Sequence, residues 1–192
     1  MAKSVLVTGF EPFGGEAVNA SWEAVRRLPE QLDGWTVHRA CLPVVFGGAA
    51  ETVLRLAGEL RPDAVVCTGV AGGRSAITPE VIAVNLCDAR IPDNAGAQPR
   101  WQPIAPGGPD GLFSGLPVRE MAAALRAVGL PAALSWSAGS YVCNDVFYRT
   151  VRRCREWGIP CGFIHVPPVT ALPAEEGARG LAVCLSCLWA EC

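Results

Sequence analysis

The stretch "SAGSYVCNDVFYRTVRRCREWGIPCGFIHVPP", residues 137–168, decides the fold. Its middle, "NDVFYRTVRRCREW", carries apolar residues at helical spacing, and Gly158 marks a stop, because glycine readily takes the left-handed conformation that ends many helices. The apolar run "CGFIHVP" (161–167) that follows is short, nearly continuous and halted by a double proline, which reads as a strand buried on both faces. Another apolar run, "AALSWSAG" (132–139), comes before the helix. Strand, helix and strand in that order is the repeating unit of a parallel sheet.

The same alternation extends in both directions. "VLVTGF" (5–10), "WTVHRACLPVV" (35–45), "DAVVCTGV" (63–70) and "EVIAVNLCDAR" (80–90) read as further strands. Helical patterns cover 21–32, 47–62, 117–129, 144–158 and 175–192, with Gly129 closing the third as Gly158 closes the fourth. The expected fold is α/β: one domain over residues 1–192, an α/β/α sandwich with a mostly parallel twisted sheet of the phosphorylase/hydrolase-like kind. One long irregular stretch, 91–115, is left over; a loop of that length inside a compact domain is usually functional or an oligomer contact.

Composition narrows the function. The 192 residues are 51% hydrophobic and 18% charged, yet no apolar run approaches the roughly 18 residues that a membrane span needs. A net charge of -2, with both signs mixed along the chain, offers no basic strip for nucleic acid. The N-terminal "MAKSVLVTGF" reads as a first strand in a cytoplasmic protein rather than a secretory signal. Nine cysteines in a chain of this length read mostly as reduced thiols, not as a disulfide scaffold. "NAS" at 19–21 matches a glycosylation pattern that carries no weight without export.

Cys41, Cys67, Cys87 and Cys161 lie in apolar runs and read as core. Cys184 and Cys187 share a helical face and lack the second pair that a zinc site needs, and Cys154 and Cys192 sit among charges. Cys143 differs, because it falls at the turn into the helix, on the sheet edge where α/β folds bind ligands. A helix start lowers a thiol's pKa and can hold an oxyanion; the alternative is a small residue packed under the turn. A thiol nucleophile needs a base, and only His38 and His165 are available. His38 reads as a mid-strand structural residue, whereas His165 sits where the double proline stops its strand, near the edge that holds Cys143. To orient the imidazole, Glu80 heads an apolar run, with Asp88, Asp93 and Asp145 as competitors.

The blocks "VLVTGFEPFGG", "GVAGGRSAITPEVIAVN", "DARIPDNAG", "SAGSYVCND" and "GFIHVPP" stand in the order and spacing of the pyroglutamyl-peptidase I family of cysteine peptidases, which this chain resembles from residue 5 to about 168. The resemblance implies a cytosolic, usually homotetrameric enzyme that removes N-terminal pyroglutamate from peptides, without metal or cofactor. It implies catalytic Glu80, Cys143 and His165, places Phe10 and Phe13 as walls of the lactam pocket, and puts Arg90 near the oxyanion and the active-site loop. Tyr141 and Val142, beside the nucleophile, fall among the substrate-binding positions.

The chemistry of the residues fits. An uncharged five-membered lactam calls for flat apolar walls and a few aimed hydrogen bonds, and "GFEPFGG" supplies two aromatics among glycines. The same segment lacks the Lys-Ser/Thr ending of a phosphate cradle, and Glu11 reads as part of its turn. The chain departs from the family pattern at Val70, where glutamine is expected, and at Asp145 and Ala20, where histidine and proline are usual; "VPPVT" also differs. A nucleoside phosphorylase-like transferase and a catalytically inactive binding protein of the same family are the alternatives, since fold does not decide function.

Overall fold

The computed structural model describes residues 3–189. The chain runs β1 (Ser4–Phe10), α1 (Ala20–Val25), β2 (Gln31–Leu32), β3 (Trp35–Leu42), α2 (Gly48–Leu60), β4 (Ala64–Val70), β5 (Thr78–Pro79), β6 (Ile82–Val84), β7 (Gly111–Phe113), α3 (Val118–Ala127), α4 (Val142–Trp157), β8 (Cys161–Val166) and α5 (Ala174–Ser186). Six strands form one sheet in the order β2-β3-β1-β4-β8-β5. The interior pairs β3-β1, β1-β4 and β4-β8 are parallel, and the short edge strands β2 and β5 are antiparallel to their neighbours.

Strand alternation builds two cores. Leu6, Phe10, Val65, Cys67, Cys161 and Phe163 point to the face covered by α2 and α4. Val5, Val7, Val37, Val66, Ile164 and Val166 point to the face covered by α1, α3 and α5. β1, β4 and β8 are therefore buried on both sides, as a sandwiched parallel sheet requires, whereas β3 is covered only in part. After β1 the chain leaves towards β3, and after β4 it leaves towards β8, so a crevice opens between the carboxyl ends of β1 and β4.

Several elements differ from the sequence reading. The run 80–90 is not one strand: Pro79, which has no N–H to donate, ends β5, and β6 turns away to pair with β7 in a separate two-stranded ribbon. That pairing also places β7 inside the stretch expected to be wholly irregular. Residues 132–139 touch the sheet edge only through single bridges, Ile77 with Ala132 and Glu80 with Ser135. There the serine hydroxyls hold the backbone instead of a ladder: Ser135 Oγ donates to Ser137 O, and Gly139 N donates to Ser137 Oγ. The helix expected over 21–32 stops at Val25; Pro29 prevents its continuation, and Gln31–Leu32 becomes β2. Helix α4 starts two residues earlier than its pattern suggested, which brings Cys143 inside the first turn, and Gly158 closes it at φ 71°.

Cys67, Cys87 and Cys161 are buried as expected, but Cys41 is exposed: on the strand face it shares with the buried Trp35 and Val37, burial gives out from Arg39 onward. Cys154 is buried despite its charged neighbours, since it continues the inward stripe of Phe147 and Val151. Cys192 and the last residues of the expected C-terminal helix lie outside the described residues.

Candidate active site

His165 stands one residue before the end of β8 and is 3% exposed. Its Nδ1 lies 2.7 Å from Oε1 of Glu80, a fully buried carboxylate just past β5. The edge strand β5 sets this distance: Thr78 pairs with His165 and Pro79 with Ile164, so Glu80 is carried back over the imidazole, and its N–H donates to Phe163 O. The competing carboxylates do other things. Asp145 accepts from Gly47 N and Arg149 and so anchors the start of α2. Asp93 closes a turn through Ala95 N and Ala97 N, and Asp88 reaches Ser140 through its backbone.

Cys143 sits in the first turn of α4 and is half-buried as a residue. Asn144, fully buried beside it, accepts from Val84 N and donates to Val84 O and Leu86 O, which locks the helix start onto the segment after Glu80. Gly69 near the end of β4 explains how the sulfur reaches the sheet. A Cβ there would stand 2.8 Å from Sγ of Cys143 and 2.9 Å from the ring of Phe163, so only glycine admits the thiol. Gly69 is also the register partner of His165. Paired residues on parallel strands point to the same face, so the thiol and the imidazole lie together on one side of the sheet.

Burial, followed by the charge of Glu80 and the neighbouring Cys67, pushes the Cys143 thiol up to about 12; Arg74 and the Cys143 N–H pull the other way without prevailing. This corrects the expectation of a thiol already lowered by the helix start. A sulfur held as the neutral thiol ionises only as a base takes its proton. Burial also raises Glu80, but hydrogen bonding and charge from His165, with a smaller part from Arg74, hold it below the ordinary carboxylate value.

Cys143 and His165 open into a cavity of about 630 Å³ at the β1/β4 crevice. All five expected substrate-binding residues line it: Phe10, Phe13, Arg90, Tyr141 and Val142. Phe10 is buried, Phe13 stands 6.2 Å from the Tyr141 ring, and the Tyr141 hydroxyl donates to Pro92 O, which fixes the 91–115 loop at the rim. Asn19 lines it too, and its side chain caps α1 by accepting from Ser21 N. Glu11 accepts from Val44 N and Asn94, a part of the turn as its sequence implied. Cys184 and Cys187 face the core from α5, and among the described residues no cluster of three or more His, Cys, Asp or Glu is arranged to hold a metal.

Arg74 had no role in the sequence reading. Its guanidinium bonds Glu80 Oε1 at 2.8 Å, Thr78 Oγ1 at 2.7 Å and Ser137 O at 3.0 Å. The only signal was its place in "AGGRSAITPE", a glycine-rich turn that leads to a carboxylate in an apolar run. A thiol at a helix start, a carboxylate-held imidazole on the same sheet face and an aromatic-walled cavity are together the parts that thiol-dependent acyl transfer needs.

Comparison with known proteins agrees. A pyrrolidone-carboxylate peptidase of Levilactobacillus brevis is 47% identical over 194 aligned residues, covering 94% of this chain and 95% of the relative. The crystal structure of Bacillus amyloliquefaciens pyroglutamyl peptidase I superposes with a TM-score of 0.94 at 37% identity, covering 98% of each chain. A mutant pyrrolidone carboxyl peptidase from Pyrococcus furiosus gives a TM-score of 0.92 at 38% identity, over 96% of this chain and 97% of that one. The sequence model of the pyroglutamyl peptidase family matches residues 3–186, and the chain belongs to that family.

Proposed function

We propose that this protein is a cysteine exopeptidase that hydrolyses the N-terminal pyroglutamyl residue from peptides through a thioester, with Cys143, His165 and Glu80 as its catalytic residues. The observation that carries this reading is the sulfur seated over Gly69, on the same sheet face as an imidazole whose Nδ1 is held by Glu80. With Glu80 ionised, Nδ1 keeps its proton and Nε2 presents a lone pair. Nε2 takes the Cys143 proton as the sulfur attacks the pyroglutamyl carbonyl. N–H groups of the first turn of α4, which has no side-chain cap, stabilise the oxyanion. The C–N bond breaks as His165 returns the proton to the leaving amine. Water, deprotonated by the same imidazole, then cleaves the thioester and restores the thiol. No metal or cofactor enters the scheme.

Phe10 and Phe13 would wall the lactam, Tyr141 and Val142 would bound it beside the nucleophile, and Arg90 would stand at the mouth near the oxyanion. We take residues 1–192 as one such domain. Eight cysteines among the described residues are free thiols, which supports a cytoplasmic setting. Trp101, Trp136 and Phe113 are exposed by 77%, 63% and 59%, which supports a homo-oligomer, a tetramer in this reading, that covers such surface. Among the described residues no helix is long and apolar enough to cross a membrane. The relatives lend no support to a phosphorylase-like transferase or to an inactive binding protein. Cys143→Ser should abolish turnover of a pyroglutamyl reporter; normal activity in that variant overturns the scheme.

A further inference from the structure

We propose that Arg74 is a positioning residue for this reaction: its guanidinium ties the carboxylate that orients His165 to the segment that delivers Cys143, and its charge keeps that carboxylate ionised. The inference rests on the catalytic reading above and deepens it.

Glu80 has no exposed surface, and one of its oxygens does two jobs. Oε1 accepts from Arg74 Nη1 at 2.8 Å and lies 2.7 Å from His165 Nδ1, whereas Oε2 has no hydrogen-bond partner. A neutral imidazole gives a buried carboxylate a hydrogen bond but no charge. Among the described residues Arg74 is the only lysine or arginine paired with Glu80. His165 gives the larger downward pull on Glu80, but part of that pull is the charge of an imidazolium; while the imidazole is neutral, Arg74 is the cation beside the carboxylate that opposes burial.

The proton on Glu80 decides the tautomer of His165. An ionised Glu80 accepts from Nδ1–H, which leaves Nε2 free to take the thiol proton. A protonated Glu80 would donate to Nδ1 instead, and Nε2 would then carry the hydrogen and could accept nothing. Keeping Glu80 charged is thus a condition for the base to work. Arg74 also lowers the Cys143 thiol, against burial and against the charge of Glu80 itself.

The second function of the guanidinium is geometric. Nη1 also donates to Thr78 Oγ1, and Thr78 is the register partner of His165. Nη2 reaches Ser137 O, in the segment that becomes the first turn of α4. One planar group therefore joins the strand beside the base, the carboxylate that orients it and the approach to the nucleophile. An ammonium supplies the charge but not the fork. The titratable groups around Glu80 are His165 on β8, Arg74 on the turn after β4 and Cys143 on α4, with Cys67 of β4 behind the thiol. Asp88 and Arg90 stand further out along the cavity wall.

The test compares wild type with Arg74→Gln and Arg74→Lys, whose folding is checked by near-UV circular dichroism. For a chromogenic pyroglutamyl amide, Arg74→Gln should lower kcat by about 100-fold with KM little changed, the cost of a misplaced catalytic group. Its acid limb of kcat should also move up by about one pH unit, because Glu80 loses the cation that holds it ionised. Arg74→Lys should keep the wild-type acid limb while remaining slower than wild type. An acid limb unmoved in Arg74→Gln, or moved equally in both variants, overturns the proposal. Should Arg74→Gln not fold, Arg74→Lys decides alone: a retained limb with lowered kcat supports the fork, and wild-type kcat refutes it. The pH dependence of Cys143 alkylation by iodoacetamide, followed by mass spectrometry, needs no peptide substrate. If the wild type leaves pyroglutamyl amides intact, the substrate assignment fails, while a pH dependence displaced in Arg74→Gln but not in Arg74→Lys still supports the role of Arg74, and an undisplaced one still overturns it.

Discussion

Oε1 of Glu80 lies 2.7 Å from Nδ1 of His165, with both groups out of contact with bulk water. Replacing the carboxylate by its uncharged isostere keeps the shape and removes the charge that balances an imidazolium. Glu80→Gln should therefore lower kcat by about 10²–10⁴, with KM changed far less, in steady-state hydrolysis of a pyroglutamyl amide. Wild-type kcat would remove Glu80 from the mechanism.

The same carboxylate makes a pH-dependent contribution to stability. Hydrogen bonding and charge from its partners outweigh the upward push of burial and hold Glu80 below its ordinary value, so the folded state binds fewer protons there than the unfolded chain. That contribution is complete above the unfolded value of about 4.3 and is lost as pH falls through the lower folded value. The Tm advantage of wild type over Glu80→Gln should be constant near neutrality and shrink in acid. A gap that widens on acidification contradicts this sign.

Gly69 leaves the space that the Cys143 sulfur occupies. In Gly69→Ala the new methyl would meet Sγ and the Phe163 ring at 2.8 Å and 2.9 Å; the ring is fully buried, and the sulfur can yield only by leaving its seat for the cavity. Overpacking of this kind costs about 1–3 kcal/mol, and displacement of the nucleophile about 100-fold in kcat. Thermal unfolding and kinetics on one preparation check both; wild-type kcat would show that the sulfur does not need this seat.

Burial, then Glu80 and Cys67, pushes the Cys143 thiol up to about 12, so the proton should leave in the step in which sulfur attacks carbon. Acylation should accordingly be slower in D₂O. Alkylation of the resting enzyme should keep rising with pH beyond the ordinary thiol range instead of levelling near neutrality. A plateau near neutrality, or kcat/KM unaffected by D₂O, would mean a preformed thiolate.

Val70 ends β4 and lines the cavity where the family pattern leads one to expect an amide. Val70→Gln should lower KM for pyroglutamyl substrates by up to about tenfold, the value of one added hydrogen bond, and leave kcat within a small factor. Unchanged kcat/KM would show that this position does not contact the lactam.

The fold was legible where one element carries its own signature. β1, β4 and β8 are apolar on both faces because helices cover both, and α4 shows its inward stripe and its terminal glycine. The run from Glu80 to Arg90 misled because within it only Ile82–Val84 pairs as a strand, while Glu80 and Cys87 make isolated bridges. Cys41 and Cys154 departed from expectation because burial ends along β3 after Val37 and because helix phase carries Cys154 inward, neither of which neighbouring composition reveals. In the site, Cys143 and His165 stood out by residue type and location, whereas Glu80 had Asp88, Asp93 and Asp145 as competitors and was singled out by the family resemblance. Arg74 and Gly69 did not stand out, since each acts through a partner brought near only by the sheet. The raised thiol is likewise a tertiary effect of burial and of a carboxylate 63 positions away in the chain.

The central claim is that one sulfur, paired with His165, opens the pyroglutamyl amide bond. Its most direct measurement is release of chromophore from a pyroglutamyl amide by the wild-type protein before and after iodoacetamide treatment, with Cys143→Ala in parallel. The account predicts turnover by the untreated protein alone, with loss of activity tracking modification of Cys143. Turnover that survives the block or persists in Cys143→Ala would contradict it.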